Sequence, residues 1–91
     1  MRIEFDPRKS ARNIEQRGLS FELSVEFDWT TAIVASSNRN GETRFAAVGY
    51  LGDRLHVLVF TKPGDALRII SLRRANKREV NRYEKTQPRV D

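Results

Sequence analysis

Arg44–Leu51 and Arg54–Thr61 are two strand-like runs separated only by Gly52-Asp53, and no other stretch of the 91 residues leaves the backbone so few choices. Both runs hold β-branched and aromatic residues, and a Gly-X pair suits the two-residue type II′ turn whose twist matches its strands. Such a turn fixes the pairing: Leu51 opposes Arg54, Gly49 opposes His56, Ala47 opposes Leu58 and Phe45 opposes Phe60. A second turn, Lys62–Asp65, leads into a strand over Ala66–Arg73. With Thr61 set opposite Ala66, His56 meets Ser71 and Arg54 meets Arg73. Those four then share a face with Phe45, Leu58, Phe60 and Ile69, while Arg44, Thr61 and Arg68 share the other with Val57, Val59 and Ile70. A bulge in either hairpin would swap part of this assignment.

Asp6-Pro7 reads as a helix start, with Asp capping and Pro in the first turn where its missing N–H is not needed. Gly18 suits the position just past the end. The first helix is therefore expected over Pro7–Arg17, with Ala11 and Ile14 as a thin apolar stripe. In Phe21–Phe27, the apolar Phe21, Leu23, Val25 and Phe27 alternate with Glu22, Ser24 and Glu26, a strand pattern. Ala32–Ala35 is expected as a short strand and Ser36–Gly41 as a polar loop. Asn76 can cap a final helix while Glu79 reaches back to it, although only Val80 and Tyr83 give that helix an apolar face. The expected fold class is α+β. One or more N-terminal helices precede an antiparallel meander of about four strands and a basic C-terminal helix, in a single domain over residues 1–91. Helices cannot cover both faces of the meander in so small a domain, so one face stays partly open.

Charge is unevenly placed. The chain has 17 Lys and Arg against 12 acids, net +5, and eight of those cations (Arg68, Arg73, Arg74, Lys77, Arg78, Arg82, Lys85 and Arg89) lie together against Glu79 and Glu84 alone. A field localised in this way marks a polyanion site, for which nucleic acid is the usual ligand, or else a solvated helix face. The absence of cysteine excludes disulfides, thiolate catalysis and Cys-based zinc. One histidine and no tight acidic cluster argue against a transition-metal centre, and no cofactor is expected. Met1–Lys9 has no apolar run that would make a signal peptide, and Val57–Phe60 is far too short to span a bilayer. The expected compartment is the cytoplasm, with no membrane partner.

Several residues could carry chemistry. Arg44 and Arg68 occupy interior strand positions, costly for a charge unless it is paired or meets a ligand. Their guanidinium forks suit phosphate, and the alternative is an ion pair with, for instance, Glu42 or Glu79. His56 is the one side chain suited by type to proton transfer near neutrality. With Ser71 and Arg73 beside it, it could serve as base or acid when a 2′-hydroxyl attacks phosphate; the alternative is a half-buried histidine bonded to a carbonyl. Arg54, Arg74, Lys77, Arg78 and Arg82 are candidate backbone contacts. Tyr83 could stack on a base or anchor the last helix.

The segment Arg68–Glu79 (RIISLRRANKRE), followed by Tyr83, resembles the C-terminal signature of the BrnT-type toxins of bacterial type II toxin–antitoxin systems. The resemblance continues upstream through Phe5-Asp6-Pro7, Lys9, Asn13, Gly18-Leu19-Ser20-Phe21-Glu22, Glu42-x-Arg44-Phe45, Gly49 and Leu55–Thr61. Many members have Lys-His before that first glycine, where this chain has Gln16-Arg17, so no role resting on that histidine carries over. The resemblance implies a RelE-like fold, with Phe21–Phe27 as a short helix capped by Ser20. It implies a metal-independent endoribonuclease that arrests growth, and RelE-like toxins rely on Arg, Lys, Tyr or Glu rather than on an obligatory histidine; Glu79 is therefore a catalytic candidate beside Arg44, His56, Arg68, Ser71 and Arg73. It also implies a BrnA-like antitoxin as partner, in a complex that binds operator DNA through the antitoxin. The other reading of the same basic surface is a non-catalytic nucleic-acid-binding module.

Overall fold

A computed structural model describes residues 2–87. Five strands, β1 (Arg2–Glu4), β2 (Ile33–Arg39), β3 (Glu42–Leu51), β4 (Arg54–Thr61) and β5 (Ala66–Arg74), form one sheet in the order β1-β5-β4-β3-β2. Helix α1 (Pro7–Arg17) and a 3-10 helix (Phe21–Glu26) lie between β1 and β2, and α2 (Lys77–Thr86) follows β5. The architecture is α+β as expected, but the sheet has five strands rather than four and is mixed. β1 pairs in parallel with the start of β5, and its single apolar residue Ile3 is too weak a signal to reveal a strand of 3 residues.

The β3–β4 hairpin has the register that its turn dictates, from Leu51 opposite Arg54 to Phe45 opposite Phe60. Gly52 is left-handed at φ 68° while Asp53 is not, as a type II′ turn requires. The expected loop Ser36–Gly41 is instead mostly strand. β2 runs on to Arg39, and Asn40 (φ 52°) with Gly41 (φ 81°) makes the tight turn, both left-handed as in type I′. That Asn-Gly pair was the available signal.

The β4–β5 register departs from expectation and rearranges the site. Thr61 pairs with Arg68 rather than Ala66, and a bulge between Val59 and Phe60 leaves Ile70 without an opposite residue. Beyond it, Val59 faces Ser71, Val57 faces Arg73, and His56 faces Arg74 instead of Ser71. Ser71 and Arg73 thus lie on the same face as Arg44 and Arg68, away from His56. The bulge also turns Leu72 fully into the core.

One sheet face is sealed. Phe21, Phe27, Ala47, Leu58, Phe60, Leu67, Ile69 and Leu72 form the core there, beneath α1 and the 3-10 helix. Phe21–Glu26 is helical rather than extended because its inner face repeats every third residue. Phe21, Ser24 and Phe27 are buried while Val25 is 74% exposed, and Ser20 caps the turn by accepting from the Glu22 N–H. Gly49 is required by close approach, since a Cβ there would stand 2.7 Å from the Phe27 ring.

Helix α1 has the expected limits, with Asp6 accepting from the Arg8 N–H and Gly18 left-handed at its end. Its buried residues, however, are Ser10 and Asn13, and Ile14 is 48% exposed, so the expected Ala11/Ile14 stripe is not what docks it. The Asn13 amide donates to the Leu19 and Leu72 carbonyls, and Ser10 Oγ accepts from the Phe21 N–H. Polar side chains win this face because they satisfy backbone groups that would otherwise be buried alone.

Candidate active site and nucleic-acid interface

The structure divides the sequence candidates between two places. Arg44, Arg68, Ser71, Arg73 and Glu79 belong to the open face of the sheet. His56, Arg54 and Arg74 gather at one end of the other face.

On the open face Arg44, Arg68 and Arg73 each stand within ion-pair distance of a carboxylate. Arg73 donates both terminal nitrogens to Glu79, each at 2.8 Å. Glu79 in turn accepts from the Asn76 N–H at 2.9 Å while Asn76 Oδ1 accepts from the Glu79 N–H, the capping box that starts α2. The Arg73 hydrogen bonds are the main cause that draws Glu79 down to a pKa of about 2. Such a carboxylate is a weak proton acceptor at neutral pH. Arg68 places Nε and Nη2 at 3.0 and 2.8 Å from Glu4, across the parallel β1–β5 pairing. Arg44 Nε stands 3.5 Å from Glu42 without closing a hydrogen bond, and it is shut from solvent with no acceptor. It is the least satisfied of the three. Of the two sequence readings for Arg44 and Arg68, the structure contains the ion pairs.

The other end looks different. His56 is 5% exposed and its Nδ1 lies 2.9 Å from the Arg54 carbonyl, which fixes Nδ1 as the protonated nitrogen because a carbonyl can only accept. In the neutral ring Nε2 then carries the lone pair. It makes no hydrogen bond among the described residues and is not sealed from solvent. His56 lines a shallow cleft of about 590 Å³ with Leu19, Leu23, Glu26, Asp53, Arg54 and Arg74. Neither Arg54 nor Arg74 has an ion-pair partner among the described residues. Arg74 continues into a second hollow against Val80 and Glu84 of α2, so cleft and helix adjoin. On the outer side of α2, Lys77, Arg78, Arg82 and Lys85 line one concavity, likewise without ion pairs among the described residues. Arg89 lies outside the described residues.

Tyr83 is buried, donates its hydroxyl to the Thr31 carbonyl at 2.9 Å and packs edge-on to Tyr50. It anchors α2 and presents no free ring to a base. Asn13 and Ser10 are the residues that sequence reasoning passed over, and their signal was the placement of polar residues on the inward side of an otherwise weakly apolar helix. No group of three or more metal-ligating side chains comes together among the described residues. No described helix is long and apolar enough to cross a membrane.

A small mixed sheet with one sealed face, a histidine-bearing cleft and a cationic C-terminal helix defines a compact α+β protein. The family described as the ribonuclease toxin, BrnT, of type II toxin–antitoxin systems matches residues 5–79, and the chain belongs to that family. Membership carries with it an RNA target and an antitoxin partner. The match ends in the first turn of α2, so Arg82 and Lys85 lie beyond it. No curated protein matches the chain.

Proposed function

We propose that this chain is a metal-independent endoribonuclease whose reaction centre is the His56 cleft. The carrying observation is a histidine held in one tautomer by a backbone carbonyl, with Nε2 free beside two unpaired arginines. His56 Nε2 takes the proton of a ribose 2′-hydroxyl, the 2′-oxygen attacks phosphorus, and the bond to the 5′-oxygen breaks. The leaving oxygen is protonated from solvent. Arg54 and Arg74 meet the charge that builds on the phosphorane. Lys77, Arg78 and Arg82 hold flanking phosphates without reading sequence. On this reading residues 1–91 form one RelE-like toxin domain in the cytoplasm, arresting growth until a BrnA-like antitoxin covers it. The complex would bind operator DNA through the antitoxin.

His56→Gln tests the assignment. Cleavage of a defined RNA should fall by ~10²–10⁴ with the circular dichroism spectrum unchanged. A folded variant with wild-type rate and pH profile would remove His56 from the chemistry.

A second reading, a non-catalytic RNA- or DNA-binding module, is favoured by the engagement of Arg44, Arg68 and Arg73 with carboxylates. RNA that is bound yet recovered intact after long incubation would establish it.

A further inference from the structure

β2 ends the sheet, and its outer edge is open. In a hairpin closed by a two-residue turn the residues flanking the turn form a hydrogen-bonded pair, and bonded pairs recur at every second position. Arg39 with Glu42 is that pair, so Ser37, Ala35 and Ile33 are bonded to β3 through Arg44, Ala46 and Val48. The N–H and C=O groups of Val34, Ser36 and Asn38 must then point outward, in an unbroken row. None of them meets other backbone among the described residues.

Sheet edges are usually blunted by shortness, proline, lysine, a bulge or a covering element. The opposite edge, β1, has 3 residues and carries the Glu4–Arg68 ion pair. β2 has 7 residues, no proline or lysine, an unbroken register, and every residue after Ile33 exposed. Its neighbours on the open face are graded. Ile33 and Ala35 border a groove of about 300 Å³ whose sheet side is apolar, with Ala46, Val48 and Val59, and which Arg73, Glu79 and Arg82 also line. Towards the turn, Ser37 and Arg39 follow, opposite Arg44 and Glu42, and the Arg44 Nε–H has no acceptor. Two arginines against one glutamate leave that half net cationic.

We propose that β2 is completed by an extended segment of the protein antitoxin, added as an antiparallel sixth strand. Its acidic half would lie against Arg39 and Arg44, and its apolar half against Ile33 and Ala35. Main-chain bonds would supply affinity and the graded face would supply direction. The net charge of +5 disfavours a second copy of the chain in the same place. The proposal rests on the toxin reading for the identity of its partner, but not on the His56 cleft.

The probe is a capped peptide, Glu-Thr-Glu-Thr-Val-Thr-Val, added to the full chain while amide hydrogen exchange is followed by NMR. Antiparallel addition places its glutamates beside Arg39 and Ser37 and its valines beside Ala35 and Ile33. Exchange at Val34, Ser36 and Asn38 should slow several-fold, while Ile33, Ala35 and Ser37, already bonded to β3, stay unchanged. High salt should weaken the effect. Ser36→Pro removes only an outward N–H, so it should abolish protection while the free variant cleaves RNA at the wild-type rate. That cleavage control separates failure here from failure of the catalytic reading. Ala35→Glu, which places a carboxylate in the groove, should cause the same loss and stands in if the proline variant does not fold. The proposal is overturned by exchange unchanged at the three outward amides, by slowing spread equally over both sets, or by Ala35→Glu binding as well as wild type. Protection that rises with protein concentration and no peptide would overturn it too, by assigning the edge to a second copy.

Discussion

Arg73 and Arg74 are neighbours in sequence and stand in opposite electrostatic situations. Arg73 turns to the open face and gives both terminal nitrogens to Glu79. Arg74 turns to the His56 cleft and has no carboxylate partner among the described residues. The contrast extends to the regions around them. Arg44, Arg68 and Arg73 are engaged in folding the sheet and attaching α2, whereas Arg54, Arg74, Lys77, Arg78 and Arg82 remain available to a ligand. A count of cations along the chain treats the two groups alike. Their geometry separates them, because an arginine already bidentate to carboxylate must lose that pair before it can bind phosphate.

The sharpest way to break this comparison is to delete the free pair. Arg54→Ala with Arg74→Ala should lower RNA cleavage by about 10²-fold or more while leaving thermal unfolding nearly unchanged, since neither side chain holds a partner. A double variant that cleaves normally would place the reaction elsewhere.

Glu79→Gln probes the engaged side. It removes the charge-assisted fork to Arg73 while leaving an amide oxygen that can still accept from the Asn76 N–H, and should destabilise the protein by ~1–2 kcal/mol in denaturant unfolding. The pH dependence has a definite sign. Glu79 keeps its charge down to about 2 in the folded chain, against an ordinary value of 4.5. Its stabilising contribution is therefore complete above 4.5 and is lost as pH falls towards 2. The difference in stability between wild type and Glu79→Gln should narrow over that window, and a constant difference would refute the pairing.

The smallest expected effect belongs to Arg68→Lys. The Arg68 side chain is 57% exposed and its pair with Glu4 is solvent-screened, so stability should change by ~0–1 kcal/mol. The salt dependence of RNA affinity should stay as in wild type, whereas Arg78→Ala should reduce the slope by about one counterion. An Arg68→Lys protein that folds normally but loses cleavage would return Arg68 to the site.

What could be read beforehand follows the range of the forces involved. The β3–β4 register was legible because Gly52-Asp53 fixes it within two residues, and the capping box was legible because Asn76 and Glu79 meet within one turn. The partner of Arg68 was not, since Glu4 is 64 positions away and becomes a neighbour only when β1 docks. The buried role of Asn13 likewise depends on Leu72, 59 positions on. For the site, residue types and the basic character of the C-terminal region could be named from sequence. Their division into two faces could not, because that hangs on one unpaired residue in β5.

That residue, Ile70, gives the chain an unusual tolerance. Removing a residue from an interior strand normally flips everything beyond it to the wrong side. Deleting Ile70 would instead let Ile69 and Ser71 follow one another in regular alternation, with Leu72 still inward and Arg73 and Arg74 on their present sides. An insertion beside it would have the reverse effect, exchanging the two arginines and turning Leu72 out of the core onto the open face. Length variation at this point is therefore one-directional: shortening leaves the distribution of charge intact, and lengthening overturns it.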